Sequence, residues 1–360
     1  MDRPIEALHV FSTFRTGGPQ IRFATVANRM GSRVRHRIAA VDGDYSAARL
    51  LSPQVEFELL PRPPTKSMLP ATRFYRRLVR EVRPDFVQTY NWGAFEAVMG
   101  SWLAGARIIH TEDGFNSDES SRLKGRRLWL RRLFLNRIFK TIVVSRTLEK
   151  IAREQYRVAP GKLCLIVNGI DTDRFQPHRS RDLRASLGIP ADSFVIGSVG
   201  RFSAEKNLAR LVRAFAAAGI ANARLVLVGD GPDRPAGGVG VIFTGPVADP
   251  AAHYGVFDLF AMSSDTEQMP IALLEAMASG LPALCTDVGD STAILDARGA
   301  PEIVDRLDEA GYTAALRRLA EDGVLRSELG RKNREIAVRR YGIDRMVGEY
   351  LELYKAAATK

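Results

Sequence analysis

The chain has 360 residues, of which 46% are hydrophobic and 26% are charged. It is too long for one ordinary hydrophobic core and too apolar for a disordered protein, so we expect two globular domains. The net charge of +11 is uneven, because residues 1–175 carry 30 basic and 17 acidic side chains whereas residues 176–360 carry 22 and 24. An anionic partner is therefore expected at the first half.

Several classes of protein are excluded at this level. The two cysteines, Cys164 and Cys285, are too few for a disulfide framework or a cysteine-based metal site. Met1–Phe14 lacks the basic and apolar regions of a secretory signal, and no apolar run approaches the ~18 residues that span a bilayer. We therefore expect a cytoplasmic location.

Short β-branched runs recur along the chain, each followed by a glycine-containing turn and an amphipathic helix. This alternation predicts an α/β fold with two doubly wound, Rossmann-like domains facing each other across a cleft. The pattern restarts after a polar stretch, which places the domains at residues 1–175 and 176–340. The predicted strands are Ala7–Ser12, Phe86–Thr89, Arg107–His110, Thr141–Val144 and Lys162–Val167, then Val195–Val199, Arg224–Val228, Val241–Thr244, Leu259–Ala261 and Ala283–Thr286.

The first strand is followed by Thr16-Gly17-Gly18-Pro19. Because Gly17 and Gly18 have no side chains, a binding partner could approach the backbone closely there. Pro19 suits the start of a helix. A plain tight turn explains the same pattern equally well.

Two segments of the first half mix basic and apolar side chains. Residues 121–140 hold eight basic and no acidic side chains, and residues 62–83 hold seven basic ones. Both are typical of basic amphipathic helices that lie on an anionic membrane surface. The alternative is that their apolar side chains face the core beneath a solvated basic face.

His110 ends a predicted strand beside Glu112 and Asp113, which places it where ligands bind in such sheets. A lone histidine is more often a satisfied core or surface residue. No histidine pair has metal-ligand spacing, so we expect no metal site.

In the second half, Gly200 and Arg201 follow a strand, and Lys206 precedes the helix N-cap predicted at Asn207. A strand-to-helix loop with two cations favours an anion, and a guanidinium with an ammonium suits a diphosphate. Two solvated surface cations are the alternative. Two further predicted strands end beside a glycine. Their candidate binding positions are Gly229, and Thr244 and Pro246 on either side of Gly245.

Glu267 and Glu275 are separated by seven residues around a helix predicted at 270–279, with Pro270 at its start and Gly280 after its end. Glu267 then lies in the loop that enters the helix, where first-turn N–H groups are free for phosphate or sugar oxygens. Glu275 suits a pair of ribose hydroxyls. Two solvated glutamates are the alternative.

The chain ends in a charged helical pattern, Thr313–Arg340, and a final helix predicted at 341–360. Taken together, these motifs resemble those of the family-4 retaining glycosyltransferases, of the group 1 type, which have the two-domain GT-B fold. The strongest is E-x7-E from Glu267 to Glu275 in EQMPIALLEAMASGLP. VGRFSAEKN, LVLVGDGP, FTGPV, IVNGIDTDRF, the VVS at Val143–Ser145 and the N-terminal TGGP support it, so the resemblance covers almost the whole chain.

The resemblance implies a nucleotide-sugar donor held mainly by the second domain, with no separate cofactor because the nucleotide sugar is a substrate. Arg201 and Lys206 would bind its diphosphate and Glu275 its ribose. The turn at Thr244 and Pro246 would flank the base, Gly200 and Gly229 would lie at the donor site, and Gly17 and Gly18 would approach the phosphates. The donor sugar would meet Glu267 and the backbone of Gln268, Met269, Pro270 and Ile271.

It further implies retention of the anomeric configuration without a required metal, and a final helix that packs back onto the first domain. The acceptor would be a glycan or lipid-linked glycan at the first domain, which makes a peripheral position on the inner membrane face a further expectation. The sequence departs from the family at two places: Asp113 stands where relatives have a histidine, and Gln268 stands where they have glycine. Either Asp113 takes over the sugar contact or His110 reaches the donor.

Other functions remain open. A nucleotide-sugar 2-epimerase shares the fold, and the loss of the usual histidine leaves room for a catalytically impaired scaffold. A nucleic-acid-binding protein is disfavoured because no stacking platform or recognition module occurs. A dinucleotide oxidoreductase would need G-x-G-x-x-G after its first strand, and this is absent.

Overall fold

The structure is a computed structural model, which describes residues 3–65, 67–114, 125–297, 300 and 302–359. Its strands are β1 Ile5–Phe11, β2 Val34–Ala40, β3 Phe57–Leu59, β4 Phe86–Tyr90, β5 Ile108–Glu112, β6 Lys140–Val143, β7 Leu163–Leu165, β8 Phe194–Val199, β9 Ala223–Val228, β10 Val241–Gly245, β11 Leu259–Met262, β12 Ala283–Thr286 and β13 Ile303–Val304. Its helices are α1 Gly18–Met30, α2 Met68–Val82, α3 Phe95–Leu103, α4 Gly125–Phe134, α5 Arg146–Glu154, α6 Arg181–Ser186, α7 Leu208–Ala218, α8 Ala251–Tyr254, α9 Ile271–Ala278, α10 Ser291–Leu295, α11 Glu309–Glu321, α12 Gly323–Tyr341 and α13 Ile343–Ala358.

The chain divides into two compact units. The first comprises Met1–Asn168 together with Asp344–Lys360, and the second is the continuous stretch Gly169–Ile343. The division therefore falls at Asn168 and not at the sequence-based boundary of residue 175. The polar stretch that suggested the later boundary belongs to the second unit, where Arg179 and Arg184 both pair with Asp258.

The first unit is built on a parallel sheet with the strand order β3-β2-β1-β4-β5-β6-β7. The order reverses between β1 and β4, as in a doubly wound sheet. The last helix, α13, belongs to this unit, since the hydroxyl of Tyr354 donates to Oε1 of Gln88 in β4 at 2.5 Å.

The second unit repeats this arrangement in the order β10-β9-β8-β11-β12-β13, with the reversal between β8 and β11. Leu211 of α7 and Leu316 of α11 are fully buried in one core with Leu225 of β9. The predicted α/β fold with two doubly wound sheets is confirmed.

The sequence analysis missed β2, β3 and β13. In β2, Arg35 and Arg37 interrupt the apolar run. Both arginines pair with Glu6 of β1, and Arg35 also pairs with Glu56. Cross-strand ion pairs thus replace the apolar signal on this side of the strand.

Candidate functional site

A pocket opens where the strand order of the second unit reverses. Its free volume, open solvent included, is about 380 Å³. It brings together the ends of β8 and β11 with the loops that follow them, which is the position where doubly wound sheets bind ligands. Its polar and loop residues include Ser198, Gly200, Arg201, Lys206, Ser263, Ser264 and Pro270.

Gly229 brings a second loop against the first. Its φ is +130°, and a Cβ there would lie 1.9 Å from the carbonyl oxygen of Gly200. Its N–H donates to the carbonyl of Gly245 at 3.0 Å, which ties the end of β9 to the turn that holds Thr244 and Pro246. The strand-end glycines therefore keep backbone close to backbone at this edge.

Lys206, which lines the pocket, forms an ion pair with Glu267, and 29% and 11% of the two side chains are exposed. The hydroxyl of Ser264 donates to the same Oε1 of Glu267 at 2.8 Å. Arg201 is exposed at the pocket rim. Two cations are thus available to an anion, and one of them has a carboxylate partner that an anionic ligand would displace or share.

A supporting network lies behind Lys206, and sequence reasoning missed it. Asn207 caps α7, as predicted, by accepting from Arg210 N. Asp265 accepts from Arg210 Nη2 at 2.6 Å and from Asn207 Nδ2 at 3.0 Å, while Arg210 Nη1 donates to the Ser263 carbonyl at 2.8 Å. These bonds join the loop of Lys206 to the loop of Glu267.

The loop from Glu267 to Pro270 leads into α9, which begins at Ile271 with Pro270 at the N-cap. No side chain of the described residues caps this helix. Gln268 is half-buried and Met269 is buried. Gly289, with φ +56°, lies so close that a Cβ would be 2.2 Å from the Glu267 carbonyl oxygen, and this contact was also missed.

Glu275 lies on α9 outside the pocket lining and is partly exposed. Its Oε2 accepts from the hydroxyl of Tyr254 at 2.6 Å. Burial raises the pKa of Glu275 to about 7, although the bond from Tyr254 acts in the opposite direction. This carboxyl therefore changes its charge in the neutral range.

The predicted site residues of the first unit lie at its own strand ends. Asp113, after β5, forms an ion pair with Arg22 of α1, and both side chains are less than one tenth exposed. The Asp113 N–H donates to Oδ1 of Asn91 at 2.7 Å, and Arg22 Nη1 donates to Oδ1 of Asn168 at 3.3 Å. Burial would lower the pKa of Arg22, but Asp113 raises it above its usual value.

His110 is fully buried. Its Nδ1 lies 2.7 Å from Thr89 Oγ1 and its Nε2 lies 3.3 Å from Glu112 Oε1. Burial opposes ionisation of Glu112, but Arg131, at 2.7 Å, and His110 lower its pKa to about 2. Because both ring nitrogens have protein partners, the placement favours a structural role for His110 and not the contact with the donor that the sequence analysis considered.

Gly17 and Gly18 lie at the start of α1, where Gly17 is the N-cap with extended backbone. A Cβ at Gly18 would meet no atom of the described residues within 4 Å. Packing therefore does not explain the absence of a side chain at Gly18.

The basic segments are only partly at the surface. Lys66 and residues 121–124 lie outside the described residues, as do residues 115–116 of the motif after His110. Within α4, Arg131 is buried against Glu112, which corrects the prediction of a basic surface at this residue. Ile138 beyond the helix is buried, as the alternative with apolar side chains facing the core expects. Trp129 remains 60% exposed, and Leu69 of α2 is 69% exposed.

The described residues contain neither a cluster of metal-ligating side chains nor a membrane-spanning helix. No group of three or more His, Cys, Asp or Glu side chains is placed to hold a metal ion. None of the helices there is long and apolar enough to cross a membrane.

Solved structures share this architecture. The structure of Anabaena HepE in complex with UDP superposes with a TM-score of 0.82 at 18% identity, covering 98% of this chain and 100% of that one. The class is thus the two-domain α/β proteins of the GT-B fold. Residues 16–174 match the family model "Glycosyltransferase Family 4" and residues 193–322 match "Glycosyl transferases group 1". The chain belongs to this glycosyltransferase family.

Curated relatives agree with that assignment. A lipopolysaccharide core biosynthesis glycosyltransferase, LpsD of Rhizobium meliloti, is 30% identical over 186 residues, 49% of this chain and 54% of that protein. The UDP-Gal:alpha-D-GlcNAc-diphosphoundecaprenol alpha-1,3-galactosyltransferase of Escherichia coli is 27% identical over 309 residues, 77% of each chain. The match thus spans about half the length of the first relative and three quarters of the second.

Proposed function

We propose that this protein is a retaining glycosyltransferase that moves a sugar from a nucleotide-sugar donor to a glycan or lipid-linked glycan in cell-surface polysaccharide biosynthesis. The observation that carries the proposal is the pocket at the strand-order reversal, where Gly200, Arg201 and Lys206 face the loop of Ser263 and Ser264. The names of the two relatives support the pathway, and the UDP complex of HepE supports the class of donor.

In the proposed reaction, Arg201 and Lys206 hold the donor diphosphate and Glu267 contacts the sugar beside Lys206. The bond between C1 of the sugar and the diphosphate oxygen breaks, and the acceptor oxygen bonds to C1 on the same face. The acceptor proton passes to the leaving phosphate oxygen. Arg201 and Lys206 stabilise the charge that develops on the diphosphate, so the step as proposed needs no metal.

A panel of UDP-, GDP- and ADP-sugars tests the proposal through nucleotide release by the purified protein with glycan and lipid-linked acceptors. Lys206→Met should lower turnover about 100- to 1000-fold, as expected for one donor at a developing charge. Glu275→Ala should weaken donor binding about 10- to 100-fold. Lys332→Met is the matched control, because this lysine of the same unit donates to the Asp296 carbonyl and to no other group of the described residues.

Absence of nucleotide release from every donor, or full activity in Lys206→Met and Glu275→Ala, would overturn the proposal. Conversion of the donor to its 2-epimer without transfer would favour the epimerase instead.

We further propose that the first unit, which we expect to bind the acceptor, binds an anionic membrane surface through α2 and α4. Arg126 Nη2 lies 3.2 Å from Met68 Sδ, which brings the starts of the two helices together. Leu69 and Trp129 are exposed there, and α2 also exposes Arg73, Arg76, Arg77 and Arg80. Exposed apolar side chains among arginines suit the boundary between lipid headgroups and acyl chains.

Flotation with phosphatidylglycerol vesicles at low salt tests this proposal. The wild type should bind, and Leu69→Ala with Trp129→Ala should bind less. Leu307→Ala is the control, because Leu307 is 77% exposed in the second unit. The membrane proposal fails if the wild type ignores the vesicles.

A further inference from the structure

Tyr254 is a buried tyrosine in the second unit that the proposed reaction does not yet use. It ends α8, is fully buried, and its ring centroid lies 5.7 Å from that of Phe175 and 5.8 Å from that of Phe257. These contacts hold the ring, so the position of its hydroxyl is set by the core and not by solvent.

The hydroxyl of Tyr254 faces two acceptors. Glu275 Oε2 lies at 2.6 Å and the carbonyl oxygen of Ala272 at 3.2 Å. A phenol has one proton to donate and can also accept. When Glu275 is ionised, the phenol O–H donates its hydrogen bond to the carboxylate. When Glu275 is protonated, its carboxyl O–H donates to the phenol oxygen and the phenol O–H donates to the Ala272 carbonyl. The Tyr254–Glu275 hydrogen bond is thus kept in both charge states, with its direction reversed.

Charged groups around Glu275 act in opposite directions. Arg174 favours the ionised form and Asp249 the protonated form, and these two are paired with each other at 2.7 Å. On the elements packed against α9, His253 lies next to Tyr254 in α8, and Arg334 of α12 donates to the Ala278 carbonyl. Because Arg174 and Asp249 partly compensate each other, burial and the hydrogen bond from Tyr254 have the largest effects on the pKa of Glu275.

On β12, which also packs against α9, the titratable group is Cys285. Burial raises the pKa of this thiol well above its usual value, so it stays neutral in the neutral range.

We propose that Tyr254 is a positioning residue that aims Glu275 at the ribose of the donor and makes donor affinity depend on pH in the neutral range. The inference rests on the proposed function, since it requires a nucleotide sugar in this unit. Ionised Glu275 accepts charge-assisted hydrogen bonds from adjacent ribose hydroxyls. The protonated form, with its proton on Oε2 towards Tyr254, accepts only the weaker bonds of a neutral carboxyl at Oε1. Donor affinity therefore rises as the pH rises through neutrality.

Calorimetric titration with UDP-glucose, GDP-mannose and ADP-glucose between about pH 6 and pH 8.5 tests this inference. Wild-type affinity for the donor that binds should increase about 10-fold over this range, as expected for one group titrating near 7. Tyr254→Phe should shift the midpoint upward by about one pH unit, because the ionised carboxylate loses a donor. Glu275→Gln should bind with a flat profile.

Tyr312→Phe is the matched control. Tyr312 is fully buried in the same unit, and its hydroxyl has no hydrogen-bond partner among the described residues. This variant should keep the wild-type profile.

A wild type that binds a donor with a flat profile, or a Tyr254→Phe variant with the wild-type midpoint, would overturn the inference and leave the proposed function standing. If Tyr254→Phe does not fold, the comparison of wild type with Glu275→Gln decides, since equal pH profiles contradict the inference. A wild type that binds none of the three donors would overturn the proposed function as well.

Discussion

The two units have the same core strand order but treat the charges at their strand ends differently. In the first unit, Arg22 and Asp113 are buried against each other, and Arg131 is buried against Glu112. In the second unit, Arg201 is exposed and Lys206 is only partly covered. In the first unit, opposite charges at the strand ends are therefore buried against each other. In the second unit, two cations at the strand ends remain accessible to solvent.

The largest expected effect concerns the buried pair of the first unit. Arg22→Met leaves Asp113 buried without a counter-charge and should lower the free energy of unfolding by about 3–5 kcal/mol. Lys206→Met should lower it by less than about 1 kcal/mol, because its pair is partly solvated. Urea unfolding followed by circular dichroism compares them, and tryptophan fluorescence reports on the first unit, which contains Trp92, Trp102 and Trp129.

Adding Asp113→Asn to Arg22→Met removes the uncompensated charge and should restore part of the loss. Equal destabilisation by Arg22→Met and Lys206→Met would contradict the distinction between the two units.

The second prediction is that buried His36 of the first unit and Glu275 of the second change the stability in opposite directions as the pH changes. Burial lowers the pKa of His36 to about 4 and lowers that of His9 too. The unfolded chain then binds more protons below pH 6.5, so this stability is present above 6.5 and is lost as the pH falls towards 4. For His36 alone the loss is about 3 kcal/mol.

The contribution of Glu275 to stability changes with pH in the opposite direction. Its raised pKa stabilises the fold below pH 4.5, and that contribution is lost as the pH rises through 7. Urea midpoints measured by tryptophan fluorescence across this range should fall on acidification for the first unit, and less steeply in His36→Gln. A fluorescence midpoint that rises between pH 6.5 and 4 would show the expected sign to be wrong.

The smallest expected effect concerns Ser264 in the pocket of the second unit. Ser264→Ala removes the hydrogen bond to Glu267 Oε1 and should lower turnover about 5-fold, equivalent to about 1 kcal/mol, with little change in stability. Steady-state kinetics measures the loss. Ser327→Ala is the control, since this exposed serine donates to the Gly323 carbonyl within α12. An unchanged turnover in Ser264→Ala would mean that Ser264 does not help to orient Glu267.

Local patterns predicted much of this molecule. All ten predicted strands are present, Asn207 caps its helix, and the loop of Gly200, Arg201 and Lys206 does line a pocket. These features depend on near neighbours in the sequence. Tyr254 lies 21 residues from Glu275 and Arg210 lies 55 from Asp265, and neither pair has a local signal. The pairing of Arg22 with Asp113 likewise exists only in the folded sheet, which is why Asp113 looked available to a substrate.

The return of α13 to the first unit has a consequence for biosynthesis. The second unit is continuous in sequence, whereas the core of the first includes Tyr350 and Tyr354 from the last helix. On the ribosome, the second unit has all its residues before α13 emerges, but the first cannot complete its core until α13 has emerged. The half of the protein that is made first is thus the half that finishes folding last, and loss of the final helix would damage the amino-terminal unit.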